Sequence, residues 1–404
     1  MNVRLIDEEE PFARLCETVA TAERIALDTE FHNERSYSAR LMVVQLAFGD
    51  EVALVDPLRL QSLQPLADAL ASRTVVGHAL QSDLKIFADR FGRLPARAFD
   101  TQLAAAFSGF GMSISLADLV QNVAGVRLRK SQTVSDWSSR PLSPQQIEYL
   151  VDDVRHLFTL QDRLGEALAR SGRFEWVEEE ARSLVDPARY AADPERLYLR
   201  ISGAMRMNRR ELGILREVAI LRDRIARDRD VPLKFIIPDD VMAAIVHLRP
   251  ATRDDLSQLR RLDAGARKAY GDRIVEAVER GLALEDVDLP RKPARPPGPD
   301  REAIVACLSV LVSAIAAEND LPPSLLLPRA AIERIARELP RTPGALARLA
   351  AAEDETTGGS WRTGLVAEPL HALLHGKTML SIAGAAEGLP HVARVERAFA
   401  SSTE

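Results

Sequence analysis

The chain is poor in cysteine. Cys16 and Cys307 are the only two in 404 residues, far apart and with no Cys or His beside either. That argues against a disulfide framework and against a zinc site, and it fits a reducing cytosol. Long apolar runs are also missing. No stretch approaches the roughly 20 apolar residues of a membrane span, and Met1 to Glu10 has no apolar run of the kind a signal peptide carries. The expectation is a cytoplasmic protein with no membrane partner. Nor is there an excess of positive charge: 53 Lys and Arg stand against 59 Asp and Glu, a net charge of -6. That balance argues against a protein that coats nucleic acid over its whole surface, but it leaves room for a local basic patch. What remains is an ordinary globular composition, 46% hydrophobic and 28% charged. The length suits two or three domains.

The most informative stretch is Ile25-Ala26-Leu27-Asp28-Thr29-Glu30-Phe31, an apolar run ending in Asp-x-Glu. It reads as the end of a buried strand. Side chains alternate along a strand, so Asp28 and Glu30 point to one side. Two such carboxylates repel each other unless something neutralises them, and a divalent cation is the usual answer. The alternative is an ordinary strand end. Leu41–Phe48, a Gly49-Asp50 turn and Glu51–Val55 read as a hairpin. A helix over Leu63–Leu70, a strand over Thr74–His78 and a helix over Leu80–Arg90 come next, which predicts an α/β layer with a mixed sheet. Asp83 falls in the first turn of that helix, where an acid also serves as a plain dipole partner. His78 reads as a hydrogen-bonded histidine or a substrate contact, not as a metal ligand. Phe31, beside Glu30, and Gln81, before Asp83, are further candidates for substrate contact.

Phe99-Asp100-Thr101-Gln102 is expected to start a helix, and Ser115 to Val123 to form another. The polar loop from Arg127 to Leu142 then carries four basic residues and Trp137. Such a loop can clamp phosphates and stack a base, which makes Lys130, Trp137 and Arg140 candidate substrate contacts. The competing reading is a packed crossover loop with Trp137 in the core. Ser143-Pro144-Gln145-Gln146 has a capping-box pattern and opens a long helix. Advancing about 100° per residue from Tyr149 places Asp153 near 40°, on the flank of the buried face, and Asp152 near 300°, toward solvent. Tyr149 and Asp153 are therefore the pair expected to face a site.

Together, Asp28 and Glu30, Asp83, and Tyr149 with Asp153 resemble the DEDD exonucleases of the Tyr subclass. The words Leu27–Phe31, Gly77-His78, Phe99–Gln102, Asp136-Trp137, Arg140–Leu142, Glu148-Tyr149 and Asp153-Val154 resemble the ribonuclease D family, over roughly Met1 to Arg170. Asp152 is the one local departure, because a small residue is commoner there. The resemblance implies a ribonuclease H-like nuclease fold and two divalent ions, Mg or Mn. In it Asp28 bridges the ions, Glu30 and Asp153 complete the first, Asp83 serves the second, and Tyr149 orients the attacking water. It implies 3′-5′ hydrolysis to 5′-mononucleotides on RNA, chiefly precursor tRNA 3′ ends, by a monomer. A DNA-directed exonuclease of the same superfamily and a non-catalytic scaffold are the rival readings.

The second half repeats itself. Asp230-Val231-Pro232 through Pro238 recurs ninety positions later as Asp320-Leu321-Pro322 through Pro328. Leu221 matches Leu311, Ile225 matches Ile315 and Leu256 matches Leu346, and Gly281 is taken to match Gly376 after a slip of five. Two small all-helical domains are expected. The first resembles the HRDC module that ribonuclease D shares with RecQ helicases. The expected division is a nuclease domain over 1–170, a helical connector over 171–205, HRDC domain 1 over 206–289, and a Pro-rich linker over 290–299. An HRDC-like domain 2 over 300–382 and a tail over 383–404 complete it. From Arg206 to Asp230 there are eight arginines against five acids. Arg222, Arg224, Arg227 and Arg229 are candidate accessory RNA contacts, and a solvated, ion-paired helix face is the alternative.

Overall fold

The computed structural model describes residues 2–128, 136–191, 193–290, 299–350, 360–384 and 391–396. They form two compact units. One comprises the described residues of Met1–Glu30, Met42–Arg189 and Pro296–Glu404, the other those of Phe31–Leu41 and Tyr190–Arg295.

The nuclease part of the first unit is built on a six-stranded sheet. In chain order its elements are β1 (Asn2–Ile6), α1 (Glu9–Thr21), β2 (Arg24–His32), β3 (Arg40–Phe48), β4 (Glu51–Val55), α2 (Gln64–Leu70), β5 (Thr74–Gly77), α3 (Gln81–Phe91) and β6 (Arg97–Asp100). Helices α4 (Thr101–Phe107), α5 (Leu116–Ala124), α6 (Pro144–Arg155), α7 (Leu157–Arg170) and α8 (Phe174–Leu184) come next, then a short α9 (Pro187–Tyr190). The strand order is β1-β4-β3-β2-β5-β6. β3 and β4 form the expected hairpin, with Val44 opposite Val55 and Phe48 opposite Glu51. β2, β5 and β6 run parallel, so their carboxyl ends share one edge of the sheet. Ligand sites of open α/β sheets lie outside such ends.

Two strands differ from the sequence reading. β1 is an edge strand in which only Ile6 is buried, so it lacks an apolar run. β6 occupies Arg97–Asp100, where a helix start was expected. Asp100 stays extended and caps α4 with its side chain, and the helix begins one residue later.

In the second unit, α10 (Arg209–Asp228), α11 (Leu233–Ile236), α12 (Asp239–Leu248) and α13 (Ala264–Ala283) enclose a core of their own around Leu212, Leu215, Ile245 and Ile274. In the first unit, α14 (Pro299–Glu318), α15 (Pro323–Leu326) and α16 (Arg329–Glu338) repeat the first three of those helices at a fixed offset of ninety, and α17 (Pro343–Ala350) follows them. Even the strained backbone repeats. Asp230 and Asp320 have φ of 46° and 54°, and Arg249 and Leu339 have 49° and 46°. Non-glycine residues in the left-handed region are uncommon, so the coincidence marks true equivalence.

The match of Gly281 to Gly376 does not hold. Gly281 lies inside α13, where a Cβ would meet the Ile214 Cα at 2.5 Å, so it permits α13 to approach α10. Gly376 has φ of 68° and lies just after α19 (Glu368–Leu374) with open space around it. The expected tail also needs correction. β7 (Thr378–Ala383) pairs antiparallel with β8 (His391–Glu396), and the boundary expected at 382 falls inside β7.

The second copy shares the nuclease core. Trp361, in the short α18 (Ser360–Arg362), stacks on Trp176 of α8 at 5.0 Å and meets the fully buried Phe107 of α4 edge-on at 5.5 Å. Glu180 accepts from Trp361 Nε1 at 3.3 Å and also pairs with Arg362. Arg173 donates to the carbonyls of Phe107 and Asn319. The expected linker lies largely outside the described residues.

Candidate active site

β2 is the central strand of the site. Ile25, Ala26 and Leu27 are fully buried, and Asp28 and Glu30 emerge on one side of the strand just beyond them. Their neighbour β5 is paired with β2 only as far as Val76, opposite Ala26. Gly77 closes β5 against this point: a Cβ there would stand 2.9 Å from the Leu27 carbonyl oxygen and collide with the Leu80 side chain. Glycine is therefore required for the strand end to pass so close to the residue before Asp28.

The third acid comes from α6. Ser143 and Gln146 form the capping box, which fixes where that helix starts and so which residues face the sheet. Carboxylate oxygens of Asp28, Glu30 and Asp153 all lie within 4.8 Å of one another. Asp152 points elsewhere, pairing with Arg155 at 3.2 Å. Tyr149, one turn before Asp153, hydrogen-bonds its carboxylate. Asp83, in the first turn of α3, is buried, accepts from the Thr29 hydroxyl, and repels the charges of Asp28 and Glu30.

The electrostatics of this cluster are severe. Burial, reinforced by the mutual repulsion of the acids, pushes Glu30 up to about 7 and Asp153 up to about 8. Asp83 rises to about 6, chiefly through burial, and Asp28 is driven well above the carboxylate range by burial and by its three acidic neighbours. Burial also raises the Tyr149 phenol, so it stays protonated and can donate but not act as a base. The Oδ2 of Asp153 is buried with no hydrogen-bond partner among the described residues. Acids crowded like this, one with an orphaned oxygen, fit a hard divalent cation, which takes carboxylate oxygens and removes the repulsion.

Sequence reasoning assigned no role to Asp100, although it holds the site together. One of its oxygens accepts from the backbone N–H of Ala79 at 3.0 Å and the other from Leu80 at 2.9 Å, which fixes the entry to α3. It also caps α4 through Gln102 N at 2.8 Å. The signal was its place directly before a helix, where Asp is a preferred cap.

Several of the expected substrate contacts have partners within the protein. Trp137 is buried and packs on the Tyr149 ring at 5.7 Å, so it offers no free face to a base. His78 has both ring nitrogens engaged, Nδ1 with the Thr101 hydroxyl and Nε2 with the Ile114 carbonyl, each at 3.0 Å. Burial holds its pKa below the usual histidine value. Arg140 spends its guanidinium on buried Asp56, at 2.5 and 2.9 Å, and on the carbonyls of Met42, Trp137 and Ser139. Arg222 is buried and pairs with Asp239 at 2.6 Å and with the Ile237 carbonyl at 3.0 Å. Arg227 holds Tyr37 and Asp223, and Arg229 donates to the Tyr270 hydroxyl. Of the four arginines, Arg224 alone is exposed with no side-chain partner among the described residues. Phe31 is half-buried at the end of β2, and Gln81 is exposed at the start of α3, where it accepts from Arg189 at 3.2 Å. Lys130 lies outside the described residues.

Acids at the carboxyl ends of a mixed sheet, with a tyrosine one turn before the last of them, define a metal-dependent 3′-5′ exonuclease. Residues 3–169 match the family model of the 3′-5′ exonuclease, and residues 211–278 match that of the HRDC domain. A ribonuclease D of Gluconacetobacter diazotrophicus is 37% identical over 389 residues, covering 94% of this chain and 95% of that one. One from Granulibacter bethesdensis is 35% identical over 390 residues, covering 94% of each. The crystal structure of Escherichia coli RNase D superposes with a TM-score of 0.80 at 29% identity, covering 93% of this chain and 99% of that one. The catalytic core of RRP6 from Trypanosoma brucei shares the fold, with a TM-score of 0.53 at 22% identity over 70% of this chain. The chain belongs to the ribonuclease D family and is a 3′-5′ exoribonuclease. No helix among the described residues is long and apolar enough to cross a membrane.

Proposed function

We propose that the chain trims the 3′ ends of precursor tRNA and other small structured RNAs in the cytoplasm, as a monomer, releasing 5′-mononucleotides. Asp28, Glu30, Asp83 and Asp153 hold two divalent ions, Mg or Mn. The observation that carries this reading is the meeting of the half-buried, like-charged Asp28, Glu30 and Asp153 within 4.8 Å. Divalent ions bound there supply the charge that generates a nucleophile from water and stabilises the leaving oxygen. The residues do the rest. Tyr149, kept protonated and hydrogen-bonded to Asp153, orients the attacking water by donation. Trp137, packed against the Tyr149 ring, limits where that hydroxyl can point.

The test is a digest of 3′-labelled and 5′-labelled RNA and DNA by the wild type and by Asp28→Asn, with added Mg or Mn. The expected result is stepwise loss from the 3′ end of RNA, and a fall of at least about a thousandfold in the variant with RNA binding retained. Activity of Asp28→Asn within about tenfold of wild type would sink the ligand assignment. Preference for DNA would favour the rival exonuclease reading.

A further inference from the structure

Between β2 and β3 the chain makes an excursion. Its residues, Phe31–Leu41, belong to the helical compact unit, although the rest of β2 and nearly all of β3 belong to the other. The anchor of this segment is Tyr37. Its hydroxyl donates to Asp223 of α10 at 2.6 Å and accepts from Arg227 at 3.0 Å. Arg227 also reaches Asp223 at 3.3 Å and stands over the Tyr37 ring at 5.1 Å. Asp230, in the left-handed conformation just after α10, accepts from the backbone N–H groups of Tyr37 and Ser38 at 3.1 and 3.2 Å. The Tyr37 ring packs against the core of the helical unit. Asp223 is buried, and its charge needs these partners.

The repeat shows which parts are special to this copy. Asp320 keeps the left-handed backbone of Asp230, so that feature belongs to the module. At the positions equivalent to Asp223 and Arg227, however, the second copy has Ser313 and Ala317. The charged pair is present only in the copy that receives the β2–β3 segment. Asp28 and Glu30 stand on the part of β2 past its β5 pairing, where β3 is its remaining neighbour in the sheet before the chain enters the segment.

We propose that Tyr37 is a positioning residue. By fastening the β2–β3 segment to Asp223, Arg227 and Asp230, it fixes the exit of the strand that carries Asp28 and Glu30. The proposal rests on those acids being the ligands of the catalytic ions, and Tyr37 acts through the strand, not on the RNA.

The test uses the full chain and the variants Tyr37→Phe and Asp230→Ala. Three quantities are read: the single-turnover rate on a saturating short oligoribonucleotide, Mn affinity by direct titration, and thermal stability. The expected result is a fall of about tenfold or more in rate, since small displacements of catalytic groups are costly. Mn binding weakens in step, and the KM for the oligonucleotide stays within about twofold. Arg222→Val loosens the same helix without touching the staple and should keep its rate. Rates within about twofold of wild type in both staple variants would overturn the proposal. So would an equal loss in Arg222→Val at equal melting temperature. Asp28→Asn is run alongside. If it is inactive while the staple variants are active, only the staple is wrong. If it is active, the assignment of the acids is wrong.

Discussion

The two helical copies have one backbone and two ways of being stable. In the first, α10 buries Arg222 and Asp223, each with a charged or hydroxyl partner of its own. In the second, Val312 and Ser313 stand at those positions of α14, and Val312 is simply packed. The first copy closes its own core. The second completes the nuclease core through Trp361 and Arg362. A duplicated module thus kept its backbone while its surfaces diverged. One copy is charged and self-contained, and the other is apolar and structural.

The largest effect that could break this contrast is loss of the second copy. A chain ending at Pro290 would expose Phe107 and Trp176, which Trp361 covers. It should be insoluble or inactive even on short RNA, although every proposed metal ligand is retained. A soluble, active truncation would show that the shared core is dispensable. Trp361→Ala is the milder form. It should lower stability by about 3–5 kcal/mol, the usual cost of truncating a buried tryptophan, as read by denaturant titration.

Buried charge offers a second comparison. The helical unit buries opposite charges together, whereas the active site buries like charges. The folded-state pKa values of Asp83, Glu30 and Asp153 are raised to about 6, 7 and 8. A carboxyl raised in the folded state contributes stability below its unfolded value, and that contribution is lost as pH rises through the folded value. Without divalent ions the protein should therefore lose stability from about pH 4, the ordinary carboxyl value, up to about pH 8. Mg or Mn binds the deprotonated acids, so its stabilisation should grow over the same range, reaching about 2.7 kcal/mol at a hundred times its dissociation constant. Melting temperatures with Mn and with a chelator at several pH values measure this. A metal increment that stays flat or shrinks as pH rises would contradict it.

Much of the site was legible because local rules suffice for it. The apolar run into Asp28-x-Glu30 reads as a strand end from alternation alone, and helical phase separates Asp153 from Asp152. The capping box at Ser143 was legible for the same reason. Asp83 was not distinctive by itself, since an acid in a first helical turn has a common structural use, and only the family pattern singled it out. The surroundings of the expected substrate contacts were not legible where the decisive partner is distant. Arg140 sits in a basic loop, yet it is spent on Asp56, 84 residues away. Trp137 and His78 are similar, their environments being set by α6 and by the segment at Ile114. Nothing in the sequence of the second copy showed that Trp361 would stack on Trp176 rather than stay within its own domain.

A smaller test exchanges one copy's solution for the other's. Arg222→Val gives the first copy the residue of the second. The freed Asp239 has a side chain that is 53% exposed and can be hydrated, so only the Ile237 carbonyl and the packing of the stem suffer. The expected cost is about 1 kcal/mol, far below the 3–5 kcal/mol of breaking a fully buried pair. A larger loss would mean that the paired charge is essential to the first copy.

The smallest expected effect concerns RNA. Replacing Arg222, Arg224, Arg227 and Arg229 together would confuse binding with folding, because three of the four have structural partners. Arg224 is exposed and has no such partner, and Ala314 replaces it in the second copy. Arg224→Ala therefore separates the two roles. If the first copy tethers RNA, removing one phosphate-binding arginine should reduce the slope of log affinity against log salt by about 0.7 for a single strand. Long structured RNA should bind less tightly and with that flatter slope. Thermal stability should not move, and neither should cleavage of an oligonucleotide too short to reach α10. A solvated helix face with no RNA role predicts no change in any of these measurements. A loss on the short substrate as large as on the long one would place Arg224 in support of the active site and end the tethering idea.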